Sequence, residues 1–235
     1  MRLAAALLLS AVTTVSSAQE RQKVAAGEHM TAERVGAGGT LDVLETREEW
    51  TMWRLADGGY EVQGRRRERS LRENLPREYP FELVLSPEMH PVRVPQLEWF
   101  RNLTACDFGA QEFRCRAGDD SVQATVRAPY DLFANSPWLL GSAALRAVRQ
   151  TGRVTPLRMV LVNEDPVEAG SFRGWVHYLG EEQGAHLFKL DIGAQQWKRI
   201  RVAPEGVVLS MDDLRTKVRT ELVRYEKFGG FGATP

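Results

Sequence analysis

The sequence has almost no charge imbalance: 31 basic residues face 31 acidic ones in a chain of 235. That argues against the strong basic footprint of a non-specific nucleic-acid binder. Cysteine is scarce, with two in the chain, and they are not spaced as Cys-x-x-Cys, which makes a redox centre the weaker reading. Beyond the N-terminal segment no apolar run is long enough to cross a bilayer. Familiar catalytic signatures are missing too. There is no Gly-x-Ser-x-Gly elbow, no His-Glu-x-x-His zinc motif and no phosphate-binding glycine loop. Adjacent carboxylates such as Glu164-Asp165, Glu181-Glu182 and Asp212-Asp213 fall in turn-like stretches, where solvation explains them better than general acid–base chemistry. No internal repeat is present.

What the chain does have begins at its start. Met1 to Ala18 reads as a secretory signal peptide. Arg2 supplies the positive end, Leu3 to Val15 the apolar core, and Ser16-Ser17-Ala18 the small cleavage residues. The expected mature chain starts at Gln19. No cysteine follows the cleavage site, which argues against a lipid-anchored form. The expected location is the periplasm or the cell exterior, with no transmembrane anchor after cleavage.

Export makes the two cysteines informative, because disulfides persist in oxidising compartments. Cys106 and Cys115 flank a hairpin-like stretch with Gly109-Ala110-Gln111 between its arms. A turn centred on Ala110 and Gln111 places Cys106 opposite Cys115, Asp107 opposite Arg114 and Phe108 opposite Phe113. A structural disulfide is expected; two free buried thiols are the alternative.

Most of the rest reads as strands in one domain over residues 40–228, between a mobile leader over 19–39 and a frayed tail over 229–235. Within the leader, a short amphipathic helix around Glu28 to Val35 is an option. Residues 41–49 suit a strand or a helix. Trp50 to Leu55 and Tyr60 to Gln63 flank Asp57-Gly58-Gly59, a turn signal, and the simplest register sets Leu55 against Tyr60 and Trp53 against Val62. The basic run Arg65 to Arg69 reads as a solvated strand end rather than a headgroup site. Further strands are expected at 81–85, 121–127, 157–162, 172–179, 185–192, 197–202 and 207–211. At 214–228, Leu214, Val218, Leu222 and Tyr225 recur at helical spacing, yet Val218, Thr220 and Leu222 also alternate; a final strand is favoured.

The exception is Ser136 to Gln150. Ser136 suits an N-cap, Pro137 the first helical position, and Gly152 the C-terminal stop. At about 100° per residue, Ser142, Arg146, Arg149 and Gln150 gather on one narrow wedge and apolar side chains cover the remainder. The expected fold class is therefore mainly β, of the α+β type: a strongly curved antiparallel sheet or unclosed barrel with one long buried helix.

His177 and His186 are the polar pair that attracts attention. With a loop centred on Glu181 and Glu182 they sit directly opposite each other. They are weak metal candidates, since zinc needs a third or fourth ligand and none stands at a diagnostic spacing; no metal or cofactor is expected.

The run Glu48 to Tyr60, the helix at Ser136 to Gln150, and the late stretches Trp197 to Val202 and Glu205 to Leu209 together resemble the LolA/LolB-like superfamily of periplasmic proteins. That resemblance implies an unclosed β-barrel with a helical lid and a concave apolar cavity for acyl chains or another hydrophobic partner. The expected function is non-enzymatic binding of a lipid, lipoprotein or other hydrophobic ligand. Trp138, Leu140, Ala144 and Leu145 would contact it and Arg146 or Arg149 would meet a headgroup. The alternatives are an envelope scaffold or interaction module with a filled core, and a hydrolase whose site is assembled from distant residues.

Overall fold

The first strand lies in the middle of the sheet. Strand β1 (Gln22–Ala37) pairs antiparallel with β2 (Thr40–Arg54) on one side and with the last strand, β15 (Val218–Lys227), on the other. The computed structural model describes residues 21–37, 40–69, 77–99, 102–117, 120–125, 131–133, 154–162, 169–192, 195–204, 206–214 and 217–229.

From β2 the chain meanders outward through β3 (Tyr60–Arg69), β4 (Arg77–Leu85), β5 (Pro91–Trp99), β6 (Asn102–Phe108), β7 (Glu112–Ala117) and β8 (Asp120–Thr125). It resumes at the opposite edge with β9 (Asp131–Phe133), which lies parallel to β10 (Val154–Val162). It then returns antiparallel through β11 (Ala169–Glu182), β12 (Ala185–Ile192), β13 (Gln195–Val202) and β14 (Val208–Asp213) to β15. The result is one 15-stranded sheet in the order β8 to β1, then β15 to β9. Near one edge β8 approaches β11, as in a sheet curled toward an unclosed barrel.

The α+β expectation is corrected by this architecture: the described elements are all strands, with no helix among the described residues. The anticipated helix at 136–150 lies outside the described residues. Two other helix-like readings have a physical explanation. At the C-terminus, Glu28 pairs with Arg224 but His29 pairs with Leu222, so Val223 is an extra, bulged residue. A bulge flips the side-chain alternation. Leu222 and Tyr225 therefore sit on the same face three residues apart, which mimics helical spacing. The strand reading favoured for that segment is the one observed.

The leader read over 19–39 contains β1, with Val24 and Ala25 fully buried. Its core-facing positions are Val24, at a bulge beside Ala25, then Ala25, Gly27, His29 and Thr31, so no apolar alternation marks it as a strand. The bulk comes from the neighbour. Gly27 stands opposite Trp50, and Trp50 opposite Gly64, which stands opposite Phe81. A Cβ at Gly27 would lie 2.6 Å from the Trp50 ring, and one at Gly64 would overlap the Phe81 ring. The missing side chains let both rings lie on the sheet.

The inner face of β1 to β7 is filled by these side chains. Trp50, Met52, Tyr60, Val62, Leu83 and Leu85 are no more than 3% exposed. Ala203, Val207 and Leu209, from the turn into β14 and its start, join the same core cluster. Cys106 and Cys115 form a disulfide at its edge. Their hairpin has the expected register, with Asp107 opposite Arg114 and Phe108 opposite Phe113. The β2–β3 hairpin does not. Its loop runs over Leu55 to Gly59, closed by the Leu55 N–H donating to the Gly59 carbonyl at 2.9 Å. Arg54 therefore faces Tyr60 and Met52 faces Val62, one residue away from the simplest register.

Candidate functional site

The inner face changes character along the strands. Beyond the apolar rows, His29, Glu48, Arg66 and Tyr79 stand side by side on β1 to β4. Glu48 is 5% exposed and His29 1%, unusual for such groups unless they are paired. His29 is held from both ends. The Trp50 indole N–H donates to its Nδ1 at 3.1 Å, and its Nε2 lies 2.8 Å from the Val208 carbonyl oxygen. Burial lowers its pKa to about 4, against the opposing effect of the Val208 hydrogen bond. The ring is therefore neutral near pH 7, with its proton on Nε2.

Arg66 Nε lies 3.0 Å from a Glu68 carboxylate oxygen. The Tyr79 hydroxyl, by contrast, is buried without a hydrogen-bond partner among the described residues. Nearer the strand ends the Thr31 and Thr220 hydroxyls meet at 2.6 Å. Through His29, Trp50, Thr31 and Thr220, polar contacts tie β1 to β2, β14 and β15. His29, Thr31 and Thr220 each find a partner, whereas the Tyr79 hydroxyl does not among the described residues. Nothing in the sequence pattern marked Glu48 or Arg66, because their burial follows from a register that composition does not show.

The opposite face carries a groove of about 470 Å³ across β15, β1, β2, β3 and β4. Its floor follows one register line from Glu226 through Ala26, Thr51 and Gln63 to Glu82. Arg224, Glu49, Arg65 and Pro80 belong to the next line along the strands. The lining is mainly polar. Arg65 and Arg67 reach Glu78 at 3.8 and 2.8 Å, so the basic run at 65–69 is compensated across the β3–β4 pair.

The two candidate histidines are not brought together. Gln183 and Gly184, with φ of 52° and 75°, form the two-residue hairpin turn, whose backbone twist matches that of the flanking strands. This turn sits two residues later than expected. Leu179 is a further bulge, since Tyr178 pairs with Phe188 but Gly180 with Leu187. His177 consequently faces Lys189 and His186 faces Glu181, on opposite faces of the sheet. His177 Nε2 contacts Asp191 at 2.8 Å, and the same carboxylate oxygen takes Lys189 at 2.9 Å. His186 packs against Tyr178 and Phe188 and lies 3.2 Å from Glu181. No group of three or more potential metal ligands occurs among the described residues. Trp138, Leu140, Ala144, Leu145, Arg146 and Arg149 lie outside the described residues.

With this geometry in hand, one solved structure is informative. It is a "Beta-barrel-like Protein of Domain of Unknown Function DUF1849 from Brucella abortus", similar with a TM-score of 0.57 over 88% of this chain and 98% of that one. This chain has a β-barrel-like fold. The two sequences are 11% identical, so the likeness concerns architecture. No protein-family model and no curated protein matches the chain. The barrel-like part of the LolA/LolB-like expectation agrees with that neighbour.

Proposed function

We propose that this barrel-like protein is an exported, non-enzymatic binding module that meets its partner through its outer face. The observation that carries this reading is the packing of the inner face. Val62 is fully buried, and Met52, Leu83 and Leu85 are each 1% exposed, packed against one another in one cluster. A carrier of acyl chains needs apolar room, and this part of the half-barrel is occupied by its own side chains. The open groove lies on the other face and is polar. Both features favour an interaction module with a filled core over a LolA/LolB-like carrier of lipid or lipoprotein. The signal-peptide reading of residues 1–18 places the module in the cell envelope or outside the cell.

The test is organic-solvent extraction of the purified protein followed by mass spectrometry, combined with uptake of a fluorescent fatty acid. The expected result is no stoichiometric lipid and no saturable uptake. Reproducible recovery of one lipid per chain would return the hydrophobic-ligand reading to first place.

A further inference from the structure

We propose that the outer face of β11 to β13 docks on an anionic lipid bilayer. This rests on the outer-face reading above and names the partner class for it. The first argument is uncompensated charge. Lys189 on β12 stands opposite Arg199 on β13, and Arg201 follows two residues later on the same face. The alternating residues Phe188, Leu190, Ile200 and Val202 are buried, so the cations point away from the core. Neither arginine has an ion-pair partner among the described residues, and the Arg201 Nε has no hydrogen bond there. Asp191 is the nearby carboxylate. One of its oxygens already serves both His177 and Lys189, at 2.8 and 2.9 Å. Asp212, opposite Arg199 on β14, reaches Arg219 at 3.5 Å instead, and Glu221 takes the same arginine at 2.8 Å. On β12 and β13 three cations therefore share one carboxylate.

The second argument is what the free donors fit. A guanidinium forks onto phosphate oxygens with two parallel hydrogen bonds, and two guanidinium groups are unspent here. They stand with Lys189 on adjacent strands about 4.8 Å apart. That arrangement meets a surface of phosphates rather than enclosing a single ligand.

The third argument is the apolar margin, which selects a bilayer over a soluble polyanion. Leu179, the extra residue of the β11 bulge, is 56% exposed. Trp175 stands opposite Asp191 and is half-buried. Tryptophan and aliphatic side chains enter the headgroup region while neighbouring cations meet the phosphates. A polyanion in water would engage the cations alone and leave Leu179 exposed. The export expected from residues 1–18 brings this face beside envelope membranes.

The experiment is co-sedimentation of the purified, salt-washed protein with phosphatidylcholine vesicles, with and without phosphatidylglycerol. Arg199→Gln with Arg201→Gln is the charge variant and Leu179→Ser the apolar one, each checked for folding by its amide spectrum. The wild type is expected to bind only vesicles that contain phosphatidylglycerol, and to leave them at high salt. A basic residue near an anionic surface is worth about fivefold in affinity, so the charge variant is expected to bind about twentyfold more weakly. Leu179→Ser is expected to weaken binding several-fold. No binding to the anionic vesicles, binding that salt leaves unchanged, or equal affinity in the charge variant overturns the proposal. Unchanged affinity in Leu179→Ser overturns it too, because the apolar margin selects the bilayer. Tighter binding of polyglutamate than of vesicles overturns it by assigning the face to an acidic polypeptide. All of these failures leave the outer-face reading standing. One lipid per chain, recovered by solvent extraction after the salt wash, overturns that reading itself.

Discussion

Trp50 donates its indole N–H to Nδ1 of His29 at 3.1 Å. That contact sets the tautomer of a buried imidazole and leaves Nε2–H to donate to the Val208 carbonyl at 2.8 Å. The paired stretch of β14 and β15 runs from Asp213↔Val218 to Ser210↔Glu221. His29 takes up the carbonyl of Val208, two residues before Ser210 on β14. One side chain thus ties the first strand to the fourteenth and lies against the ring that covers Gly27.

This arrangement predicts acid sensitivity with a definite sign. His29 is lowered from 6.5 to about 4 in the folded chain. Between those values the unfolded chain binds a proton that the folded chain refuses. Stability is therefore fully present above pH 6.5, falls as the pH drops toward 4, and loses no more through this group below that. The whole shift amounts to about 3 kcal/mol. Urea unfolding of wild type and His29→Gln at several pH values measures it. The variant is expected to lose that part of the slope between pH 6.5 and 4; equal slopes would remove His29 from the account.

The glycine row makes a packing prediction. Gly64→Ala puts a methyl group into the Phe81 ring and 2.5 Å from the Glu49 carbonyl oxygen. Overpacking of this kind costs about 1–3 kcal/mol. The double variant Gly64→Ala, Phe81→Leu should recover part of that loss, since residues in contact couple. Additive losses in a thermodynamic cycle would show that the ring does not lie over the glycine.

The disulfide should contribute and be hard to reach. Cys106 and Cys115 stand nine positions apart and are 2% and 0% exposed. Closing so short a loop is worth roughly 2–3 kcal/mol. Replacing both cysteines by alanine should lower the urea midpoint accordingly. In the native protein, mild reductant should leave the bridge intact until denaturant is added, which thiol labelling can follow. Rapid labelling of the native protein would contradict the burial.

These elements also show why some of the molecule was readable in its sequence and some was not. The β6–β7 hairpin was legible to the residue because its alternation is unbroken on both arms and its loop is short. The β2–β3 hairpin was legible as a hairpin, yet its register slipped by one because a five-residue loop leaves Leu55 outside the ladder. β1 looked like a polar leader because Trp50 supplies the bulk that its own glycine lacks. The bulges at Leu179 and Val223 leave no composition signal, so they moved His177 away from His186 and gave the last strand a helical look. The α+β class rested on the helix read at 136–150, which lies outside the described residues, and the described elements are all strands. The expected ligand contacts at 138–149 lie outside the described residues. The buried row and the outer groove both depend on which residues stand abreast across five strands, and one strand's periodicity does not carry that information.

The central claim is that the inner face is the protein's own core and not an acyl-chain cavity. Native mass spectrometry of the protein purified without detergent, from a host that exports it, tests this most directly. The account predicts the mass of the processed polypeptide with its disulfide and no adduct. A persistent adduct in the mass range of a fatty acid or phospholipid, lost on denaturation, would contradict it.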